Sequence, residues 1–103
     1  MQDKLIENMS FAKAPFARNY SVEFLEVIVS EKEFKVKDCI QAISNNISST
    51  KIQLFLLIIN LASAIHQHCP SHATALKKAI LNGNNNPKAA VQEAVSLFLA
   101  EHY

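Results

Sequence analysis

The segment IHQHCPSH, residues 65 to 72, gathers three of the chain's four histidines and one of its two cysteines beside a proline. His66, His68, Cys69 and His72 are all competent ligands for zinc, nickel or copper, because imidazole nitrogen and thiolate sulfur suit such ions. They can meet only through a turn. At ~100° per residue His66 and His68 leave a helix on different sides. His68 and His72 share a face only if the helix runs through Pro70, whose ring would clash with the carbonyl of His66. A bend between two helices could bring three of the four together, with His102 or water completing a tetrahedral zinc or copper site.

The preferred reading is plainer. His66 and His68 occupy the last turn of a helix, where imidazoles bond free carbonyls and suit the negative end of the helix dipole, and Cys69 is a packed thiol. A third reading makes Cys69 a nucleophile assisted by a neighbouring histidine. No carboxylate nearby in sequence would orient that base, and no oxyanion donors can be identified.

Other chemistries fall away on composition. The single glycine, Gly83, excludes phosphate-cradling loops and dinucleotide turns, which need several glycines to let backbone N–H groups approach a ligand. The chain has no G-x-S-x-G elbow and no H-E-x-x-H, and its nine acids offer no recognisable opposed pair. The expectation is therefore a protein that is not an enzyme and has no cofactor.

With 103 residues, 50% of them apolar, the chain suits a single helical domain over 1–103 with one core. Two cysteines are too few for a disulfide framework, and the first ten residues show no basic stretch leading into an apolar one. A cytoplasmic setting with reduced thiols is the resulting expectation. A net charge of +1 with one arginine gives little pull on phosphates, so nucleic acid is not an expected partner. Charged residues make up only 18%, and no acid occurs between Asp38 and Glu93, which reads as a well-buried helical middle.

The elements that would position these residues are helices. DKLIENMSFAKA puts Leu5, Met9 and Ala12 on one stripe, with Asp3 as N-cap and Pro15 as the stop. SVEFLEVIVSEKEF fits either a helix burying Val22, Leu25, Ile28 and Val29 or a hairpin strand alternating at Leu25, Val27 and Val29; the helix is chosen over residues 21 to 35. In VKDCIQAISNNI the apolar Val36, Ile40, Ile43 and Ile47 form one buried stripe. Thr50 and Gln53 have capping-box spacing, so a central buried helix is expected at about 50–67, its outer line running through Gln53, Asn60, Ala64 and Gln67. Its apolar run is interrupted and too short for the ~20 residues a bilayer needs, so no membrane span is expected.

After Pro70, Ala73, Leu76 and Ile80 face one way, and Gly83 is expected to close that helix as its C′ residue. Asn86 is expected as N-cap and Pro87 as the first residue of the last helix, which turns Val91, Ala94, Val95 and Phe98 inward. SEKEFKVKD alternates in sign and reads as a solvated connection. Phe11, Phe16 and Tyr20 around Pro15 form either a lid on the bundle or an exposed aromatic knob.

The composite is an all-α, single-domain bundle of five to six helices, the last three antiparallel around the buried central one. Its expected function is binding another protein through a helical surface, by occlusion or scaffolding, with Leu56, Leu57, Phe98 and Leu99 as candidate contacts. Small immunity, antitoxin, adaptor and secretion-chaperone proteins share these proportions. Low charge and ample apolar area also favour a homodimer. The alternative function is a metal-binding or metal-sensing protein built on the His66 to His72 cluster.

Overall fold

The computed structural model describes residues 2–11, 15–47 and 52–103, with side chains placed for 4–8, 19–47 and 54–103. Among these residues every regular element is helical: α1 (Gln2–Phe11), α2 (Pro15–Ile28), α3 (Val36–Asn46), α4 (Ile52–His68), α5 (Ala73–Leu81) and α6 (Ala89–His102). Two 3-10 turns, Pro70–His72 and Asn82–Asn85, join the last three helices. The chain is an all-α bundle.

Hydrophobic spacing explains most of these elements. In α2 the buried residues are Val22, Leu25 and Ile28, with Val29 just past its end, whereas Val27 is 74% exposed. That pattern has the helical period and rejects strand alternation, so residues up to 28 are helix. The chain then turns through Ser30–Lys35, closed by hydrogen bonds from Glu31 N to Ile28 O and from Phe34 N to Glu31 O. The helix expected over 21 to 35 thus stops early, and the charged stretch is the solvated connection with only Phe34 turned inward.

In α3, Ile40 and Ile43 are buried together with Cys39 and Ala42, and Ile47 just beyond its end is buried too. The expected stripe is therefore the core face. α1 packs on α2 and α3, α2 on α4, and α3 on α5. Leu5 and Ile6 of α1 pack against the core. Asp3 lies within α1 rather than ahead of it, and Pro15 opens α2, where its missing N–H is tolerated. Ala12, Thr50 and the side chains of Met9, Phe11, Phe16 and Gln53 lie outside the described residues.

α4 is the central helix. It packs against α2 on one side and α5 and α6 on the other. Leu54, Phe55, Ile58, Leu61, Ala62 and Ile65 are buried, while Leu56, Asn60 and Gln67 keep the outer line. The Cα envelope, 34 × 32 × 17 Å, is a flattened slab, which is why even the central helix keeps one edge in water.

The last three helices alternate in direction. Tyr103, ending α6, donates its hydroxyl to the carbonyl of Ala73 at the start of α5 (2.7 Å), and His102 meets His66 at the end of α4. α4 ends as the proline dictates: Cys69, at φ −128° and ψ 60°, leaves the helical region directly before Pro70.

Two punctuation residues act differently from their sequence expectation. α5 does end at Leu81, but Gly83 is not a left-handed C′ residue, since no glycine here has a positive φ. Its role is close approach: a Cβ there would lie 2.6 Å from Val95 Cγ2 and 3.5 Å from the Ile47 side chain. Asn86 and Pro87 do not start α6 either; Lys88 caps it by its backbone, its carbonyl accepting from Val91 N and Gln92 N. Asn86 is instead a buried tie. Its Nδ2 donates to Ile47 O (3.1 Å), its Oδ1 accepts from Lys88 N (3.0 Å) and its carbonyl accepts from Gln92 Nε2 (2.9 Å).

Candidate functional site

The four residues of the 66 to 72 segment leave α4 and the turn after it in different directions. His66 is half-buried against the end of α6, its ring 4.8 Å from that of His102 and 5.2 Å from that of Tyr103. His68 is exposed. Cys69 packs partly buried against the core, its N–H donating to Ile65 O. His72 turns to the start of α3, where it lines an open depression of about 410 Å³ with Phe34, Lys35, Val36, Lys37 and Asp38.

Among the described residues no three His, Cys, Asp or Glu side chains converge on a point where a metal ion could be held. The structure thus does not bring His66, His68, Cys69 and His72 together into the zinc or copper site that their sequence spacing allows. The physical reason is the helical spacing: His66 and His68 are about 200° apart on α4, and the 3-10 turn after Pro70 carries His72 away instead of folding it back. His102, the candidate completing ligand, does reach His66, but as a packed ring and without the other three.

What the structure builds there is an aromatic clasp. Phe98 and His102, one helical turn apart, have ring centroids 4.6 Å apart. The Tyr103 and His66 rings meet edge to face, and Lys77 Nζ stands 5.5 Å over the Tyr103 ring. Burial raises the Tyr103 phenol above its usual range, consistent with a hydroxyl held as a donor to Ala73. The i, i+4 spacing of Phe98 and His102 was the available signal in sequence. The clasp fastens the end of α6 to α4 and α5.

The thiols are arranged for packing. Cys39 is fully buried, and desolvation, then the neighbouring Cys69, pushes its pKa up to about 12. Desolvation also raises Cys69, so at neutral pH it carries less thiolate than a free cysteine. That direction opposes the reading of Cys69 as an activated nucleophile.

Of the four candidate partner contacts, Leu56 stands out from α4 at 52% exposure. Leu57 and Leu99 are partly buried against the core, and Phe98 is 2% exposed. Phe98 is a core residue and part of the clasp, as the inward stripe of α6 expects and unlike a surface contact, whereas its neighbour Leu97 is 64% exposed. Tyr20 (66%) and Val27 (74%) form a further exposed pair on α2. Their i, i+7 spacing is visible in sequence, but it is the same apolar content that the buried face of α2 uses, and periodicity alone does not say which stripe faces out.

Compared with known proteins, the chain matches no family model, no curated protein and no solved structure. No helix among the described residues is long and apolar enough to cross a membrane.

Proposed function

We propose that this chain is a non-enzymatic protein-binding module that acts through the outer surfaces of its helices, occluding or scaffolding its partner. The observation that carries the reading is the set of large apolar side chains on outward helix positions: Val27, Tyr20, Leu97 and Leu56. None of them contributes much to the core. Exposed valine and tyrosine are also poorer helix formers than lysine or glutamate, by a few tenths of a kcal/mol each. Tyr20 and Val27, which help neither the helix nor the core, are best accounted for by a surface that covers them, because partner interfaces draw their energy from a few such anchors.

The scale and all-helical build agree with an adaptor, immunity-like, antitoxin-like or chaperone-like role in the cytoplasm. A homodimer through the same faces is the self-associated form of this reading. The test is affinity capture from the source organism with the mildly tagged chain and with Tyr20→Ser, Val27→Ser, Leu56→Ser and Leu97→Ser combined. A discrete partner, or a second copy of the chain, retained by the first and lost by the second supports the reading; identical captures refute it.

A further inference from the structure

The outer face of α2 has a composition that selects among partners. Tyr20, Phe24 and Val27 are one and two turns apart, so at ~100° per residue they fall within about 60° of one another. The Tyr20 and Phe24 rings are 6.3 Å apart and tilted by 30°, and Phe24 is partly buried against the core. The pair is therefore held in place, an aromatic ledge with Val27 beyond it. The opposite side of the same helix buries Val22, Leu25 and Ile28, so this ledge is the face that the fold leaves uncovered.

Its surround is negative. Glu23 is exposed about 60° from Tyr20 on the helix, whereas half-exposed Glu26 lies about 120° from it, off the ledge. The chain leaving the helix brings exposed Glu31, and the last turn of α2 has no basic residue to offset the partial negative charge of its carbonyl end. Between Tyr20 and Val29 the charged residues are Glu23 and Glu26, and the turn that follows alternates Glu31, Lys32, Glu33 and Lys35. An apolar ledge with this border repels phosphate backbones and anionic lipid surfaces and attracts cations.

We infer that the Tyr20–Phe24–Val27 face of α2 docks a basic amphipathic segment of another polypeptide, whose apolar residues cover the ledge while its Lys or Arg side chains meet Glu23 and Glu31. This deepens the protein-binding reading above and rests on it. Helix-on-helix seating of this kind is read by anchors at i, i+3 or i+4, and i+7, which is the spacing the ledge presents.

The test is a titration of the full chain, labelled with nitrogen-15, with two synthetic peptides of roughly five helical turns. One carries leucine at i, i+4 and i+7 flanked by lysine; the other replaces each lysine by glutamate. The basic peptide is expected to shift amides of residues 20 to 31 most, to bind more weakly as salt is raised, and to lose about tenfold or more in affinity with Val27→Asp or with Glu23→Lys and Glu31→Lys combined. Circular dichroism of these surface variants is expected to match the parent. Equal binding of the acidic peptide, no binding of either, or shifts centred on another face would overturn the assignment. So would a dimer in sedimentation that Val27→Asp dissolves, since the occupant would then be a second copy. Shifts centred on Leu97 or Leu56 would remove α2 alone and leave the protein-binding reading standing, whereas failure of the capture experiment as well would remove both.

Discussion

Replacing Gly83 by alanine sets two opposed effects against each other at one methyl group. The backbone there has no positive φ, so alanine is sterically admissible, and restricting the unfolded chain would stabilise the protein by about 0.4–1 kcal/mol. The new Cβ, however, lies 2.6 Å from Val95 Cγ2, about 1 Å inside the optimum separation of two carbons at ~3.5–4.0 Å. Val95 and Ile47 are fully buried, so neither can swing into solvent. Relief requires turning a β-branched side chain off its rotamer or moving the Asn82–Asn85 turn away from α6. Overpacking of this kind costs about 1–3 kcal/mol. The clash wins, and Gly83→Ala is expected to destabilise by about 1–2 kcal/mol, read by urea unfolding under far-UV circular dichroism, with a midpoint in heat lower by roughly 4–8 °C per kcal/mol. The double variant with Val95→Ala removes the opposing methyl and should be less damaged than the two single effects added together, by about 1 kcal/mol. A neutral or stabilising Gly83→Ala, or strict additivity in the cycle, would refute close approach as the reason for glycine.

Other perturbations follow from the same geometry. Cys39 keeps its proton up to about 12 when folded but ionises near its ordinary 9.0 when unfolded. Its contribution is therefore full below pH 9 and falls by up to ~1.4 kcal/mol per pH unit above it, a slope that Cys39→Ala should lessen in denaturant titrations across pH 9 to 11. Asn86→Ala removes one buried and one part-buried side-chain hydrogen bond and is expected to cost about 1–3 kcal/mol in the same assay. Phe55→Ala, at the most enclosed aromatic of α4, should cost about 3–5 kcal/mol and bring the protein close to unfolding at room temperature. Protein purified without a histidine tag is expected to hold far less than one equivalent of zinc or copper on elemental analysis. A full equivalent lost on His66→Ala or Cys69→Ser would contradict the divergent placement of these ligands.

The parts of the fold that were legible in sequence are those set by local period. Val36, Ile40, Ile43 and Ile47 announce a buried stripe, Pro70 breaks the central helix at the residue before it, and the apolar breadth of Phe55 to Ile65 marks a helix wrapped by others. Val22, Leu25 and Ile28 permit a helix for α2, and only their joint burial beside exposed Val27 excludes the strand. The misjudged positions depend on what lies across the core. Gly83 has the sequence context of a helix C-cap, but its need for no side chain comes from Val95, twelve residues later. Asn86 has N-cap chemistry, yet its amide is spent on Ile47, thirty-nine residues earlier.

The candidate sites divide in the same way. Proximity in sequence suggested that three histidines and a cysteine could meet, whereas the angular step along α4 sends them apart and leaves His66 to pair with the remote His102. Leu56 was readable as an outward residue because the outer line of α4 passes beside it. The inward stripe of Val91, Ala94, Val95 and Phe98 already placed Phe98 in the core, which is at odds with its candidacy as a surface contact, while Leu97 falls off that stripe. Val27 supports a strand or a helix equally until Leu25 and Ile28 are seen to be covered together.

Site-specific photo-crosslinking in living cells tests most directly whether the outward apolar residues serve recognition. A benzophenone amino acid is placed in turn at Val27, Leu56 and Leu97, and at exposed polar Asn84 as a control. A discrete adduct of constant mass from one or more of the apolar positions and none from Asn84 is the predicted result. No adduct at any apolar position, or the same adduct from Asn84, would contradict the account.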